Sequence, residues 1–419
     1  MGFDKTTKKL GEVTSLIARG VTPSYTEKEK TAVLNQKCIR NNHIDFNLVR
    51  YTDSEKKKIS KEKYIKQYDI LVNSTGVGTL GRIAQVKFVN SPTTVDSHVT
   101  IVRPGENIDP IFLGYSLFSQ QKLIESMGEG STGQTELSRI RLAEEIVLQV
   151  PSRMEQKKIG QLFSYIDDKI ELNNAINKNL EEMAQILFKR WFVDFEFPNE
   201  NGDPYKSSGG ELEESELGLL PKGWKVRPLN EILEINPKQI LKKGSNAPYV
   251  EMKSITSYYA RVTEHTNREF KSGTKFINGD VLLARITPCL ENGKTAYVDF
   301  LEENQIGWGS TEYIILRSRQ GIPNLFAYFL ARSDEFRSHA INNMTGTSGR
   351  QRVPETSVSN YQIALPVTFE LFKKFGDVVQ AEFELMKKND LESHSLKHIR
   401  DTLLPKLMSG EIRVPLDQA

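Results

Sequence analysis

Apolar residues recur at steps of three and four through two stretches of this chain. In the first stretch, Ile159, Leu162, Ile166, Ile176, Leu180, Met183 and Leu187 share one helical face; in the second, Phe375, Val378, Leu385, Leu396, Ile399 and Leu403 do so. Such spacing predicts a long helix that buries its stripe against another helix. One constant shift of 216 residues relates the two stretches: Lys157-Lys158-Ile159-Gly160 returns as Lys373-Lys374-Phe375-Gly376, and Leu187 falls on Leu403. Under the same shift Asn173 falls on Asn389, each at a core position near the middle of its stripe. A buried asparagine there is expected to fix register and partner choice. About 36 residues of helix rise roughly 54 Å, so an antiparallel pair would form a stiff spacer.

Upstream of each helical stretch the pattern changes to short, β-branched, alternating runs. In the first half Asp69–Asn73, Arg82–Val89 and Val99–Arg103 read as strands, followed by a helix over Pro110–Met127. In the second half Val281–Ile286, Lys294–Phe300 and Glu312–Arg317 read as strands, followed by a helix over Pro323–Met344. The repeat extends to Ser131-Thr132-Gly133-Gln134 against Thr347-Ser348-Gly349-Arg350, and Pro151 and Pro366 each close a strand-like segment. A period this long excludes a solenoid and predicts domain–helix–domain–helix. The expected fold class is therefore two tandem α/β (α+β) domains, each followed by a long helix, with the helices paired as an antiparallel coiled coil. The expected boundaries are 1–152 and 223–368 for the domains, 153–195 and 369–419 for the helical segments, and 196–222 for a linker rich in Gly, Pro, Ser and Glu.

The 419 residues carry a net charge of only +2, but it is unevenly placed. Residues 1–150 and 221–370 each carry about +4, against about −6 for 151–220 and zero for 371–419. Two cysteines, Cys38 and Cys289, stand far apart without metal or disulfide spacing, which fits a reducing cytoplasm. No apolar run reaches membrane-spanning length, and the first residues lack the apolar segment of a secretory signal.

Motifs for catalysis are sparse. Gly76-Val77-Gly78-Thr79-Leu80-Gly81 spells G-x-G-x-x-G after a strand, but the dinucleotide reading also requires a helix to start there. The following Arg82–Val89 alternates like a strand, and Ile286–Gly293 in the second copy lacks the glycines, so a hairpin turn is expected. His394 and His398 lie one helical turn apart without the glutamate of H-E-x-x-H, which predicts a solvated helix face and no metal. No phosphate-cradling G-x-x-x-x-G-K-[ST] and no G-x-S-x-G occurs.

Longer strings carry a resemblance. Leu187-Phe188-Lys189-Arg190-Trp191-Phe192-Val193-Asp194-Phe195-Glu196-Phe197-Pro198 leads into Pro204-Tyr205-Lys206-Ser207-Ser208-Gly209-Gly210 and then Leu220-Pro221-Lys222-Gly223-Trp224. Together with Leu403-Leu404-Pro405-Lys406-Leu407-Met408-Ser409-Gly410-Glu411-Ile412, these resemble the conserved regions of type I restriction–modification specificity subunits. Phe369-Glu370-Leu371-Phe372 departs from the pattern of the first junction, Met154-Glu155-Gln156. The resemblance implies a non-catalytic, DNA-binding subunit that reads a bipartite, asymmetric site in double-stranded DNA. It further implies two modification (methyltransferase) subunits and restriction subunits as partners, with S-adenosylmethionine and ATP bound by those partners and no cofactor on this chain.

Base readers are expected among polar and basic residues on domain loops. The candidates are Ser74, Thr75, Arg82, Gln134 and Arg139 in the first domain, and Arg285, Lys294, Arg350 and Arg352 in the second. Trp191 and Phe192 are candidates for a partner-facing surface, with burial at the helix–domain junction as the competing expectation. Two rival readings are a nucleotide-dependent enzyme built on Gly76–Gly81 and a protein-only coiled-coil scaffold.

Overall fold

The structure, a computed structural model, describes residues 6–28, 30–130, 135–262, 264–347 and 349–415. The chain divides into two compact units, residues 1–171 with 392–419, and residues 172–391. Both long helices contribute to both units.

In the first unit the buried run Ile70–Asn73 is the centre of an antiparallel sheet, ordered Thr14–Arg19, Val99–Pro104, Ile70–Asn73, Ile83–Gln85. A second sheet orders Thr93–Val95, Thr31–Leu34, Arg50–Thr52 and Tyr25–Thr26, with its first two strands parallel. Thr6–Lys9 pairs with Val147–Val150 in a third, two-stranded sheet. The helix Pro110–Ser119 starts where Asp109 accepts two backbone N–H groups at 3.1 Å and Pro110 needs none. Its buried face joins Ile70, Val72 and Val102 in a core that includes Ile159, Phe163 and Ile166 of the first long helix and Leu404, Leu407 and Met408 of the second.

The second unit repeats this plan. Its main sheet runs Leu233–Ile235, Tyr313–Ser318, Val281–Ala284, Thr295–Tyr297, again wholly antiparallel. Its second sheet runs Thr266–Glu269, Asn246–Val250, Gly307–Gly309, Thr274–Phe276, again with one parallel pair, and Lys225–Pro228 pairs with Gln362–Leu365. Duplication reaches the side chains. Arg103 grips the buried Asp69 with two hydrogen bonds of 2.8 and 2.7 Å, and Arg317 grips the buried Asp280 with two of 2.7 Å. Each carboxylate also accepts a backbone N–H three residues upstream, from Lys66 and Ile277.

The long helices span Arg153–Phe192 and Glu370–Ser409. Within the second unit Asn173 donates to the Asn389 carbonyl at 3.3 Å and Asn177 to that of Met386, so the helices run antiparallel. Within the first unit Asp167 pairs with Arg400 and Glu155 with Arg413, in the same sense.

Two expectations need correction, and the expected linker gains structure. The buried stripe is offset from the one read by apolar spacing. It runs Ile159, Phe163, Ile166 and Ile170 in the first unit, then Asn173, Asn177, Glu181, Ala184 and Phe188 in the second, leaving Met183 59% exposed. On the second helix Val379, Phe383 and Met386 are buried while Val378, Leu385 and Ile399 face outward. Polar residues that hydrogen-bond across the seam occupy several of its positions, so an apolar count slips to the neighbouring residue. Each domain helix is broken, into Pro110–Ser119 and Gln121–Ser126, and into Asn324–Arg332 and Asp334–Asn342, where the Ser333 hydroxyl caps the Phe336 N–H. The Gly- and Pro-rich segment 196–222 is folded: Leu212–Ser215 and Gly218–Pro221 form a hairpin, and the Phe197 ring stacks between Tyr205 and Trp224.

Candidate nucleic-acid interface

Each domain has a loop system at the end of its central strand, built the same way twice. In the first unit Ile70–Asn73 continues through Ser74 and Thr75 into the turn Gly76–Gly81. The chain later returns alongside: Leu137 N–H donates to the Ser74 carbonyl at 2.8 Å, and Glu136 bridges both Thr75 and Glu129. In the second unit Val281–Ala284 continues through Arg285, Val353 N–H donates to the Arg285 carbonyl at 2.9 Å, and Arg352 bridges both Ile286 and Thr345. Ser74 and Arg285 therefore hold equivalent places, as do Glu136 and Arg352.

The G-x-G-x-x-G segment is this turn. Gly76, Gly78 and Gly81 have φ of +96°, +72° and +82°, open to glycine and strained for other residues. At Gly81 a Cβ would lie 2.7 Å from the Glu125 Cα, so the last glycine lets the turn close on the helix Gln121–Ser126. Strand Ile83–Gln85 follows, with no helix whose N–H groups could meet a pyrophosphate.

The sequence-selected residues gather around these two loop systems, in different states. Ser74 is buried, with its hydroxyl 2.6 Å from that of Thr100, and is committed to the interior. Thr75 shares its hydroxyl with Gln36 at 2.6 Å and His98 at 2.9 Å, two neighbours that no periodicity pointed to. Arg82 is half-buried and donates to the Gly78 carbonyl at 2.7 Å, bracing the turn. Arg139 opens the helix Arg139–Glu145 and is exposed, with no ion-pair partner among the described residues. Gln134 lies outside the described residues.

In the second unit Arg285 donates to the Val353 carbonyl at 2.9 Å and faces Glu355 at 3.6 Å. Lys294 donates to the Met252 carbonyl at 2.9 Å. Arg352 holds Glu312 with two nitrogens, at 2.8 and 2.6 Å, which keeps that carboxylate below its usual range. Arg350 is exposed and has no ion-pair partner among the described residues. Arg82 and Lys294 meet only neutral carbonyls in these bonds, so Arg82, Arg139, Lys294 and Arg350 are the cations of this group without an ion-pair partner among the described residues.

The seam between the long helices carries the two register asparagines. Asn173 is buried completely and Asn389 nearly so, and Asn389 donates to the Asn177 side-chain oxygen at 2.8 Å. Phe192 is buried against Phe326, Phe372 and Phe375, so it does not face a partner; the aromatic cluster takes it as core. Trp191 is half-buried beside Phe375.

Two heads with matching sheets and loop ends, each continued into a long helix, define the class: a duplicated domain–helix module. Residues 4–182 and 221–393 match the type I restriction modification DNA specificity domain, and the chain belongs to that family. It is 28% identical over 371 residues to the type I restriction enzyme MjaIX specificity subunit of Methanocaldococcus jannaschii, covering 84% of this chain and 81% of that one. With the HindI specificity subunit of Haemophilus influenzae it shares 23% identity over 91% of this chain and 92% of the relative. In fold it is similar to the crystal structure of an S subunit from M. genitalium, with a TM-score of 0.59, 17% identity, and 97% and 96% of the two chains covered. The chain is therefore a non-catalytic subunit that confers DNA target recognition within a type I complex. The nucleotide-dependent enzyme and the protein-only scaffold both fall. Among the described residues no helix is long and apolar enough to cross a membrane.

Proposed function

We propose that the two heads, residues 1–152 and 223–368, each read one half of a bipartite, asymmetric site in double-stranded DNA. Two methyltransferase subunits assemble on the helical segments 153–195 and 369–419, and restriction subunits join them in the cytoplasm. S-adenosylmethionine and ATP belong to those partners. The observation that carries this reading is the duplicated loop system, the same in hydrogen-bond plan and different in side chains: Ser74 against Arg285, Glu136 against Arg352. One frame with different reading groups is what an asymmetric site requires. Thr75, Arg82, Gln134 and Arg139 would serve one half-site, and Arg285, Lys294, Arg350 and Arg352 the other. Ser74 would act from behind, through its hold on strand Val99–Pro104. Asn173 and Asn389 would set the register of the helix pair.

The test is co-expression with the cognate methyltransferase, followed by sequencing of host DNA for modified adenines. The expected result is a split motif, and exchange of residues 1–150 for those of a relative changes one half only. A continuous motif, or a change in both halves, refutes the two-headed reading.

A further inference from the structure

The loop systems hold two unpaired named cations each, Arg82 and Arg139 in one and Lys294 and Arg350 in the other, while DNA affinity grows with every phosphate neutralised. A denser store of positive charge lies elsewhere. Residues 25–66 contain eleven Lys and Arg against six Asp and Glu, and residues 238–275 contain eight against three, so each segment carries +5. The whole chain carries +2, and everything outside these segments therefore carries −8. Both segments build the same structural part: three strands of the second sheet in each unit, together with their loops.

Corresponding strands also carry corresponding arginines. Arg50–Thr52 and Thr266–Glu269 each run antiparallel to the strand that forms the parallel pair of its sheet. Arg50 lies 3.4 Å from the ring centre of Tyr25, and Arg268 lies 4.5 Å from that of Tyr249, where it also meets Glu251. A guanidinium laid on an aromatic face is held flat; Arg50 has no ion-pair partner among the described residues, whereas Arg268 shares its charge with Glu251. Around the first, Lys56, Lys57 and Lys58 are exposed and have no ion-pair partner among the described residues. In the second segment the same holds for Lys238, Lys242, Lys243 and Lys271. The turn at Lys242–Ser245 is tied to Phe270 by two backbone hydrogen bonds, which sets Lys242 and Lys243 near Lys271.

We propose that the second sheet of each domain is a phosphate-tracking face: its lysine loops and ring-mounted arginine hold the backbone of duplex DNA while the loop systems read bases. The occupant is committed by charge, since exposed, unpaired lysines on two segments of net +5, of whose cations only Arg261 is buried and paired outside, complement a polyanion. This inference rests on the DNA-reading function and divides it between two surfaces of each head.

The full-length chain, assembled with its methyltransferase subunit, is titrated with duplex carrying its methylated motif and with scrambled duplex at several NaCl concentrations. The variants are K56Q/K57Q/K58Q and K238Q/K242Q/K243Q. Each is expected to lower the slope of log K against log salt by about 2 to 3 and to weaken binding to both duplexes roughly ten- to a hundredfold. The methylated motif stays unchanged, and Lys→Arg triples restore affinity. If wild type binds with a steep salt slope and the Gln triples keep that slope and affinity, the phosphate face is elsewhere and the inference is overturned. A triple that alters the motif also overturns it, because its lysines then read bases. If wild type itself shows no preference for the motif, the reading beneath the inference has failed.

Discussion

Both units fasten their domain to the helix pair with a carboxylate, a tyrosine and an arginine, but they draw these groups from different places. In the first, Asp167 on the first long helix accepts the Tyr115 hydroxyl at 2.7 Å from the domain and Arg400 at 2.7 Å from the other helix. In the second, Asp390 on the second long helix accepts the Tyr259 hydroxyl at 2.6 Å, and the arginine, Arg261, comes from the domain, where it also grips Asp299 at 2.8 Å. Shifted by 216, Asp390 falls on Asn174, two helical turns from Asp167. Duplication kept the sheets and the Asp–Arg forks, while the fastenings were made separately. The ion pair locks helix to helix in one unit and domain to helix in the other.

The difference can be broken at Arg261. Arg261→Met leaves Asp299 and Asp390 facing each other without a cation in a largely buried setting, at a cost of about 3 kcal/mol or more. The expected signs are a lower urea midpoint and faster amide exchange in 246–318. Arg400→Met should instead loosen the helix pair, with fast exchange in 160–170 and 392–408. Equal exchange patterns in the two variants would erase the distinction.

A smaller effect separates the seam from its surroundings. Asn389→Leu removes the donor to the buried Asn177 oxygen and should cost about 1 to 2 kcal/mol in chemical unfolding, despite the gain in apolar surface. An unchanged or raised midpoint would show that the seam asparagines contribute nothing to the native register.

The smallest effect belongs to the first unit. There Lys87 pairs with Asp168 at 2.8 Å and Glu171 at 2.9 Å, while His43 stands 3.8 Å from Glu171. The neighbouring His43 and the hydrogen-bonded Lys87 hold the Glu171 carboxyl down at about 2, and Glu171 raises His43 above its usual value. The Glu171 contribution is present above pH 4.5 and fades as pH falls from there toward 2. The His43 contribution is present below pH 6.5 and fades as pH rises through its elevated folded value. These groups are substantially exposed, so a few tenths of a kcal/mol is expected for each. His43→Gln should flatten the alkaline limb of the first unit's stability between pH 6 and 8, measured by amide exchange. An unaltered limb would assign it to another group.

Much of this architecture was legible because duplication tests itself: a strand or helix seen twice at one shift is hard to produce by chance. The turn at Gly76–Gly81 was legible through the alternation of the residues after it. The second sheets were not, since Tyr25–Thr26, Arg50–Thr52 and Gly307–Gly309 are two or three residues long and show no period. The seam was blurred where Asn177 and Glu181 occupy buried positions: Glu181, whose carboxyl burial pushes upward, accepts the Ala260 N–H at 2.8 Å and the Tyr328 hydroxyl. Polarity hides such a position from any hydrophobic count. Of the reading candidates, composition could select Arg285 and Arg352 but could not foresee that Glu355 and Glu312 would engage them.

The turn at Gly76–Gly81 has two ends with opposite tolerances. At Gly81 any side chain would strike the backbone of Glu125 and at Gly78 the φ of +72° holds the chain to glycine, whereas Val77 between the glycines stands 80% exposed. Inherited change is therefore channelled to the tip. Side chains can be exchanged at Val77 while the anchored end keeps the strand in place, so the tip can vary without redrawing the frame beneath it.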